Sequence, residues 1–253
     1  MTLKEALRRG IMRATPSSSS GTRVLMYHAV DDPDPADSMS LRVSRRRFRE
    51  QMALLRDEGY SVVPLSAVAV PLERGRVRVA ITFDDGYRSQ EWAAGVLQEF
   101  GFPATFFVVP RFLDGVRSPT AYWERWEYLD WDEARALVRN GFDVGAHSMT
   151  HRDLRVCRDA EIDREIAGAR AVLEERLGTG VVHFSYPYGR YDGRATEAVR
   201  RAGYRLACTS RSGLNRCVSP SYTIRRTEVT GRDDVRDFRW KLQGKYDWLG
   251  YVR

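Results

Sequence analysis

The sequence predicts an α/β fold, a mostly parallel sheet wrapped by helices, and three observations predict it. Strand-like and helix-like stretches alternate about seven times along 253 residues. No internal repeat and no second composition regime interrupts that rhythm, as expected of a single sheet with crossover helices, open or closed into a barrel. The clearest apolar run, Val77 to Phe83, carries β-branched residues at Val77, Val79 and Ile81 and reads as a strand buried on both faces. With 43% hydrophobic and 30% charged residues, the chain has the balance of an ordinary globular domain and the length for one barrel-sized core.

Each element follows from local pattern. Residues 1–21 read as a flexible basic arm: Leu3 to Arg13 can form a short amphipathic helix, and Pro16-Ser17-Ser18-Ser19-Ser20-Gly21 is a linker. Residues 22–253 form the domain. Arg23 to Tyr27 is its first strand, with His28 at the end, followed by the acidic, proline-rich loop Asp31 to Asp37. Arg45 to Glu58 is a helix whose stripe is Phe48, Met52, Leu54 and Leu55. Tyr60 to Val63 and Val79 to Phe83 are strands, Gln90 to Phe100 a helix ended by Gly101, and Ala104 to Val109 a strand. The aromatic-rich stretch from Arg111 to Trp131 either lines a cleft or packs as a long loop. Asp130 caps the helix Trp131 to Asn140, and Phe142 to Ala146 is a strand that delivers His147. Asp159 to Gly178 is a long helix, Val181 to Tyr186 a strand, Ala195 to Ala202 a helix and Arg205 to Thr209 a strand. Tyr222 to Thr227 is extended, and Asp233 to Gln243 is the last helix.

Composition sets limits on partners. Net charge is +7, and 38 of the 41 basic residues are arginine. The basic residues are scattered and no nucleic-acid-binding motif is present, so they read mainly as solvated faces. Peripheral contact with a membrane through the basic arm is the weaker alternative to a frayed tail. Three cysteines (Cys157, Cys208, Cys217) form no CxxC pair and imply no disulfide framework. The N-terminus lacks the apolar run of a secretory signal and no segment reaches transmembrane length, so cytoplasmic residence is the default unless a leader is missing.

Two motifs carry chemistry. Asp84-Asp85-Gly86 closes the buried strand. It is either turn punctuation or a pair of carboxylates delivered to one site where Gly86 breaks strand alternation. His147-Ser148-Met149-Thr150-His151 places two histidines four apart just beyond another strand, on one face if the turn is helical, a spacing that suits one cation. One carboxylate of the Asp84-Asp85 pair would complete a His/His/Asp set with open positions, and the other would be free as a general base.

Thr82-Phe83-Asp84-Asp85-Gly86, His147-Ser148-Met149-Thr150-His151 and Tyr186-Pro187-Tyr188-Gly189, in this order, resemble the polysaccharide deacetylases of carbohydrate esterase family 4, the NodB-homology domain. The resemblance spans roughly residues 23–244. It implies a single deformed (β/α) barrel with about seven parallel strands. The implied activity is removal of N-acetyl groups from GlcNAc-type amino sugars in a glycan or glycoconjugate. The implied cofactor is a divalent metal, zinc first, with cobalt, nickel or manganese as alternatives. By the same resemblance Asp84 is the base, and Asp85, His147 and His151 are the metal ligands. Tyr188 lends its backbone N–H to the oxyanion, with Pro187 and Tyr186 beside it. Leu25-Met26-Tyr27-His28 resembles the first strand of a subgroup acting on poly-N-acetylglucosamine, in which such a histidine is the acid.

The departures from that pattern are specific. Ser185 stands where the family commonly has an arginine that orients the base. The fourth motif is not recognisable, and no histidine follows His183, so the usual acid is missing. His183 reads as structural, Asp192 as a helix cap and Asn215 as a turn residue. Two rival readings remain. One is a deacetylase or deformylase of a small nucleotide-, lipid- or natural-product-linked sugar. The other is a non-catalytic glycan-binding barrel.

Overall fold

The computed structural model describes residues 20–71, 77–116, 126–216 and 221–248. The expected arm at residues 1–21, Cys217 and part of the aromatic stretch (117–125) lie almost wholly outside the described residues. Within them the strands are β1 (Gly21–Tyr27), β2 (Ala29–Val30), β3 (Arg42–Val43), β4 (Ser61–Val62), β5 (Val77–Phe83) and β6 (Ala104–Val108). The series continues with β7 (Asp143–Ala146), β8 (His183–Ser185), β9 (Leu206–Cys208), β10 (Ser221–Ile224) and β11 (Thr227–Glu228). The helices are α1 (Arg45–Asp57), α2 (Gln90–Phe100), α3 (Pro110–Leu113), α4 (Trp131–Arg139), α5 (Asp159–Asp163), α6 (Ala169–Leu177), α7 (Gly193–Arg201) and α8 (Val235–Leu242). A π-turn, Arg164–Gly168, joins α5 to α6, so the long helix expected there is interrupted. No helix among the described residues is long and apolar enough to cross a membrane.

The main sheet runs β10-β9-β8-β7-β6-β5-β1-β11, with β4 on the first half of β5, and its strands pair in parallel. Its two ends, β10 and β11, are joined by Arg225 and Arg226 alone. Two residues span at most about 10 Å of chain between Ile224 and Thr227, so the sheet has to curve round until its ends nearly meet. That is the deformed barrel the sequence resemblance implies. The ends are not hydrogen-bonded to each other, and Asn215 spans the seam. Its backbone bridges Thr22 of β1 (2.8 and 3.0 Å), its amide donates to the Arg225 carbonyl (2.8 Å) and its carbonyl accepts from the Arg225 N–H (2.9 Å). The turn residue of the sequence reading is thus the barrel's clasp.

Strand alternation divides the apolar residues between two layers. Leu25, Tyr27, Val79, Ile81, Phe83, Phe106 and Val108 pack outward against the helices, in a core that includes Phe48, Met52, Leu97, Leu173 and Phe238. Val24, Ala80, Phe107, Leu206, Cys208 and Ile224 form a separate interior cluster, closed by Leu65 and Val68 of a short 3₁₀ turn, Leu65–Ala69. Gly145 of β7 makes room inside the barrel, because a Cβ there would lie 2.5 Å from the Phe107 ring. On β5 the inward set runs Ala80, Thr82, Asp84, so the period of two carries Asp84 to the top of the barrel interior.

The helices begin where their caps lie. Ser44 accepts from Arg47 N at the start of α1, and Asp130 and Glu133 form a reciprocal capping box on α4. Asp192 caps α7 by accepting from Ala195 N at 2.9 Å.

Asn215→Ala leaves the part-buried Arg225 N–H and carbonyl without their Asn215 side-chain partners. The expected loss is about 1–3 kcal/mol of unfolding free energy, read as a lower urea midpoint at unchanged slope; an unchanged midpoint would remove Asn215 as the clasp.

Candidate active site

Asp84 meets its partner across the seam. Tyr222 to Thr227 reads in sequence as one extended segment, but the structure breaks it at Arg225-Arg226 and turns the Arg226 side chain into the barrel, where it is 1% exposed. Its guanidinium is fully used. Nη1 and Nη2 donate to Asp84 Oδ1 and Oδ2 at 2.7 and 2.6 Å, Nη2 also to Ser185 Oγ at 2.8 Å, Nη1 to Thr82 Oγ1 at 3.3 Å, and Nε to the Thr209 carbonyl at 2.9 Å. All five N–H donors of an arginine therefore have acceptors. Ser185 sits where the family pattern has an arginine, and its short side chain is one of the acceptors for an arginine arriving from the opposite sheet edge. Burial pushes the Asp84 carboxyl up, but Arg226 and then His147 outweigh it and leave its pKa below the ordinary value.

Asp85 lies on the same side through a backbone inversion. A residue after Asp84 on a strand would point outward; Asp85 instead takes φ 73° and Gly86 φ 72°, and the carboxylate returns to the barrel mouth. His147 and His151 converge in a similar way. The segment after β7 is an irregular turn rather than the helical turn the spacing suggests, with Ser148 at φ 60° and His151 at φ 62°. Among the described residues the five non-glycine residues with positive φ are these three, Ser40 and Tyr188, and all lie at or beside one cleft. Each carries strain of about 1–3 kcal/mol, so the fold spends stability here.

Asp85 Oδ1 lies 3.3 Å from His147 Nε2 and 3.2 Å from His151 Nε2, and the ligand atoms of the three residues lie within 4.8 Å of one another. Apart from these imidazole nitrogens neither oxygen of this buried carboxylate has a hydrogen-bond partner among the described residues. His147 Nδ1 lies 2.7 Å from the Ser185 carbonyl, which requires the proton on Nδ1 and turns the Nε2 lone pair toward Asp85. In the neutral ring two acceptors then face each other in a buried space, and either a cation or a proton on Nε2 has to lie between them. Burial pulls the His147 imidazole down, but Asp84 and Asp85 beside it hold its pKa above the ordinary value. One carboxylate oxygen, two imidazole nitrogens and an open side fit a divalent ion such as zinc.

The cleft is about 190 Å³ and is lined by Met26, His28, Met39, Asp84, Asp85, His147, His151, Tyr188 and Arg226, among others. His28 follows β1 directly, and its Nδ1 is buried without a hydrogen-bond partner among the described residues. Gln90 holds this corner by donating to the His28 carbonyl (3.0 Å) and the Asp84 carbonyl (2.6 Å). Tyr188 is 44% exposed, with its ring 4.7 Å from that of His151. Two residues grouped with it in the sequence reading do not line the cleft. Tyr186 is fully buried against Phe184 and Tyr191, and Pro187 is buried at the start of the 3₁₀ turn Pro187–Gly189, which it shapes. His183 is buried in β8, where desolvation lowers its pKa, and Cys157 and Cys208 are buried free thiols.

Removing the Arg226 charge tests the pair. Arg226→Met strands a buried carboxylate and is expected to cost on the order of 3–5 kcal/mol at pH 7. Asp84, with its folded pKa depressed, contributes stability present above about pH 4 and lost as pH falls through the folded value. The gap between wild type and variant in urea unfolding should therefore shrink on acidification. A gap independent of pH would contradict the pairing.

Comparison with known proteins places this geometry. The sequence model of the polysaccharide deacetylase family matches residues 73–207. The poly-beta-1,6-N-acetyl-D-glucosamine N-deacetylase of Escherichia coli (strain K12) is 24% identical over 273 aligned positions, covering 93% of this chain but 40% of its own length. A chitooligosaccharide deacetylase of Rhizobium leguminosarum bv. phaseoli is 31% identical, over 53% of this chain and 52% of its own. The chain thus spans about half or less of the length of both. Among solved structures, IcaB from Ammonifex degensii superposes with a TM-score of 0.75 at 27% identity, over 90% of this chain and all of its own. With its barrel, its strand-end carboxylates and more than half its length inside the family's sequence pattern, this chain belongs to the polysaccharide deacetylase family.

Proposed function

We propose that this chain hydrolyses the N-acetyl groups of GlcNAc-type sugars in a glycan, with substrates of the poly-N-acetylglucosamine kind preferred. The observation that carries this reading is the division of labour in one cleft. Asp85, His147 and His151 bring their ligand atoms within 4.8 Å of one another, while Asp84 is paired with Arg226. A pure glycan-binding barrel has no use for a second buried carboxylate kept ionised at such expense.

When bound at Asp85, His147 and His151, a divalent metal would supply Lewis-acid polarisation of the acetamide carbonyl and a more acidic water. Arg226 keeps Asp84 in its carboxylate form at neutral pH, ready to take a proton from the attacking water. Asp84 Oδ2 lies 3.9 Å from His147 Nε2, so base and ligand set share one side of the cleft. To the backbone N–H of Tyr188, in the turn that Pro187 begins beside the cleft, falls the role of donor to the developing oxyanion. As the carbon–nitrogen bond breaks, the leaving amine takes a proton; His28, lining the same cleft with a ring nitrogen that has no hydrogen-bond partner among the described residues, gives it. Water adds to the acyl carbon, and acetate and a free amine leave. The similarity to the E. coli enzyme, which covers 93% of this chain, favours a poly-β-1,6-linked substrate over the chitooligosaccharides named for relatives matching about half of it.

His28→Ala is expected to lower kcat by about 10²–10⁴-fold with bound zinc unchanged; an unchanged rate would move the acid elsewhere. The same acetate-release assay should rank β-1,6-linked GlcNAc oligomers above chitooligosaccharides and nucleotide-linked GlcNAc. Preference for the nucleotide-linked sugar would favour the small-intermediate reading instead.

A further inference from the structure

Glu165 is a buried carboxylate, 6% exposed, outside the cleft. Among the described residues it pairs with no arginine or lysine, although a buried charge ordinarily needs such a partner. Both of its oxygens go to one residue: Thr150 N–H donates to Oε2 at 2.9 Å and Thr150 Oγ1 donates to Oε1 at 2.5 Å. Its backbone carbonyl accepts from Met149 N–H at 2.9 Å. Glu165 therefore makes three bonds to the two residues immediately before His151.

Its place in the chain explains how it reaches them. Glu165 lies in the π-turn Arg164–Gly168, where the widened helix turns a carbonyl and a side chain together toward the histidine segment. Other anchors are the His147 N–H donating to the Val108 carbonyl at the segment's start, the His151 N–H donating to Ser148 Oγ within it, and the Arg111 N–H of α3 donating to the Met149 carbonyl. Ser148 and His151 both lie in the left-handed region, and the local bond from His151 N–H to Ser148 Oγ is joined there by bonds from other elements. The bonds from the helix layer help to hold that conformation.

We propose that Glu165 is a positioning residue for metal binding, clamping Met149 and Thr150 so that the His151 imidazole is presented to the same point as Asp85 and His147. This rests on the reading of those three residues as a metal site. The π-turn is then the device that lets a helix on the outside of the barrel set the geometry of a ligand at its mouth.

Zinc affinity of the full chain, measured by chelator competition alongside thermal unfolding of the metal-free protein, tests it. Glu165→Ala is expected to weaken zinc binding about 10–100-fold, the range for groups that orient a ligand. Glu165→Gln, which still accepts the Thr150 N–H, should recover part of the loss. Thr150→Val, which removes only the hydroxyl and leaves the helix intact, should weaken zinc binding by less than Glu165→Ala. Wild-type zinc affinity in Glu165→Ala, with or without lower thermal stability, would overturn the proposal. If that variant does not fold, wild-type affinity in Thr150→Val would do so. A wild-type chain that binds no zinc would overturn the metal reading itself, an outcome visible before any variant is made.

Discussion

The ion pair between Arg226 and Asp84 is the interaction on which the rest of this site depends. It crosses the seam where the ends of the sheet are not hydrogen-bonded among the described residues, bringing a side chain from the β10–β11 connection onto the end of strand β5. Burial alone would drive Asp84 toward its neutral form; the charge of Arg226, then His147, and the hydrogen bonds from Arg226 reverse that. Arg226 also lies 5.6 Å above the Phe107 ring and donates to Ser185 and Thr82. The apolar interior, the neighbouring strands and the base are thus tied through one guanidinium. The seam is where chemistry can be inserted into a barrel whose interior is otherwise packed.

The second constraint is backbone inversion. Regular strands deliver alternate residues to opposite faces, and a site needing two adjacent carboxylates on one side cannot be built from a strand alone. Here left-handed residues at Asp85, Ser148, His151 and Tyr188 re-aim side chains at the C-terminal ends of parallel strands, while the strands below stay regular. Such conformations persist only where the surroundings over-determine them. Gln90 on the carboxylate side and Glu165 on the histidine side supply that support from the helix layer.

Much of the fold was legible because its signals are local. The Val77–Phe83 run, the capping residues Asp130 and Asp192, and the Gly101 stop each sit where an element begins or ends. The approach of Asp84, Asp85, His147 and His151 to one cleft was legible from motif order and strand-end placement. Three features were not. Arg226 is one arginine among 38, in a stretch that reads as extended, and only the seam gives it meaning. The π-turn at Arg164–Gly168 leaves no mark on helical periodicity, so Glu165 looked like any helix-surface acid. The histidine spacing suggested a helical turn, whereas convergence comes from two left-handed residues that no propensity would place there. Tyr186 was read with Tyr188 because they share a motif, but the turn between them sends one ring into the core and leaves the other over the cleft.

The central claim is that two adjacent carboxylates have separate tasks, one toward a metal and one toward a proton. Calorimetric zinc titration of Asp84→Asn and Asp85→Asn, each paired with an acetate-release assay, tests it most directly. Asp84→Asn should bind zinc with near wild-type affinity and release no acetate, and Asp85→Asn should lose zinc affinity and activity together. Equal loss of zinc in both variants, or full activity in Asp84→Asn, would contradict the assignment.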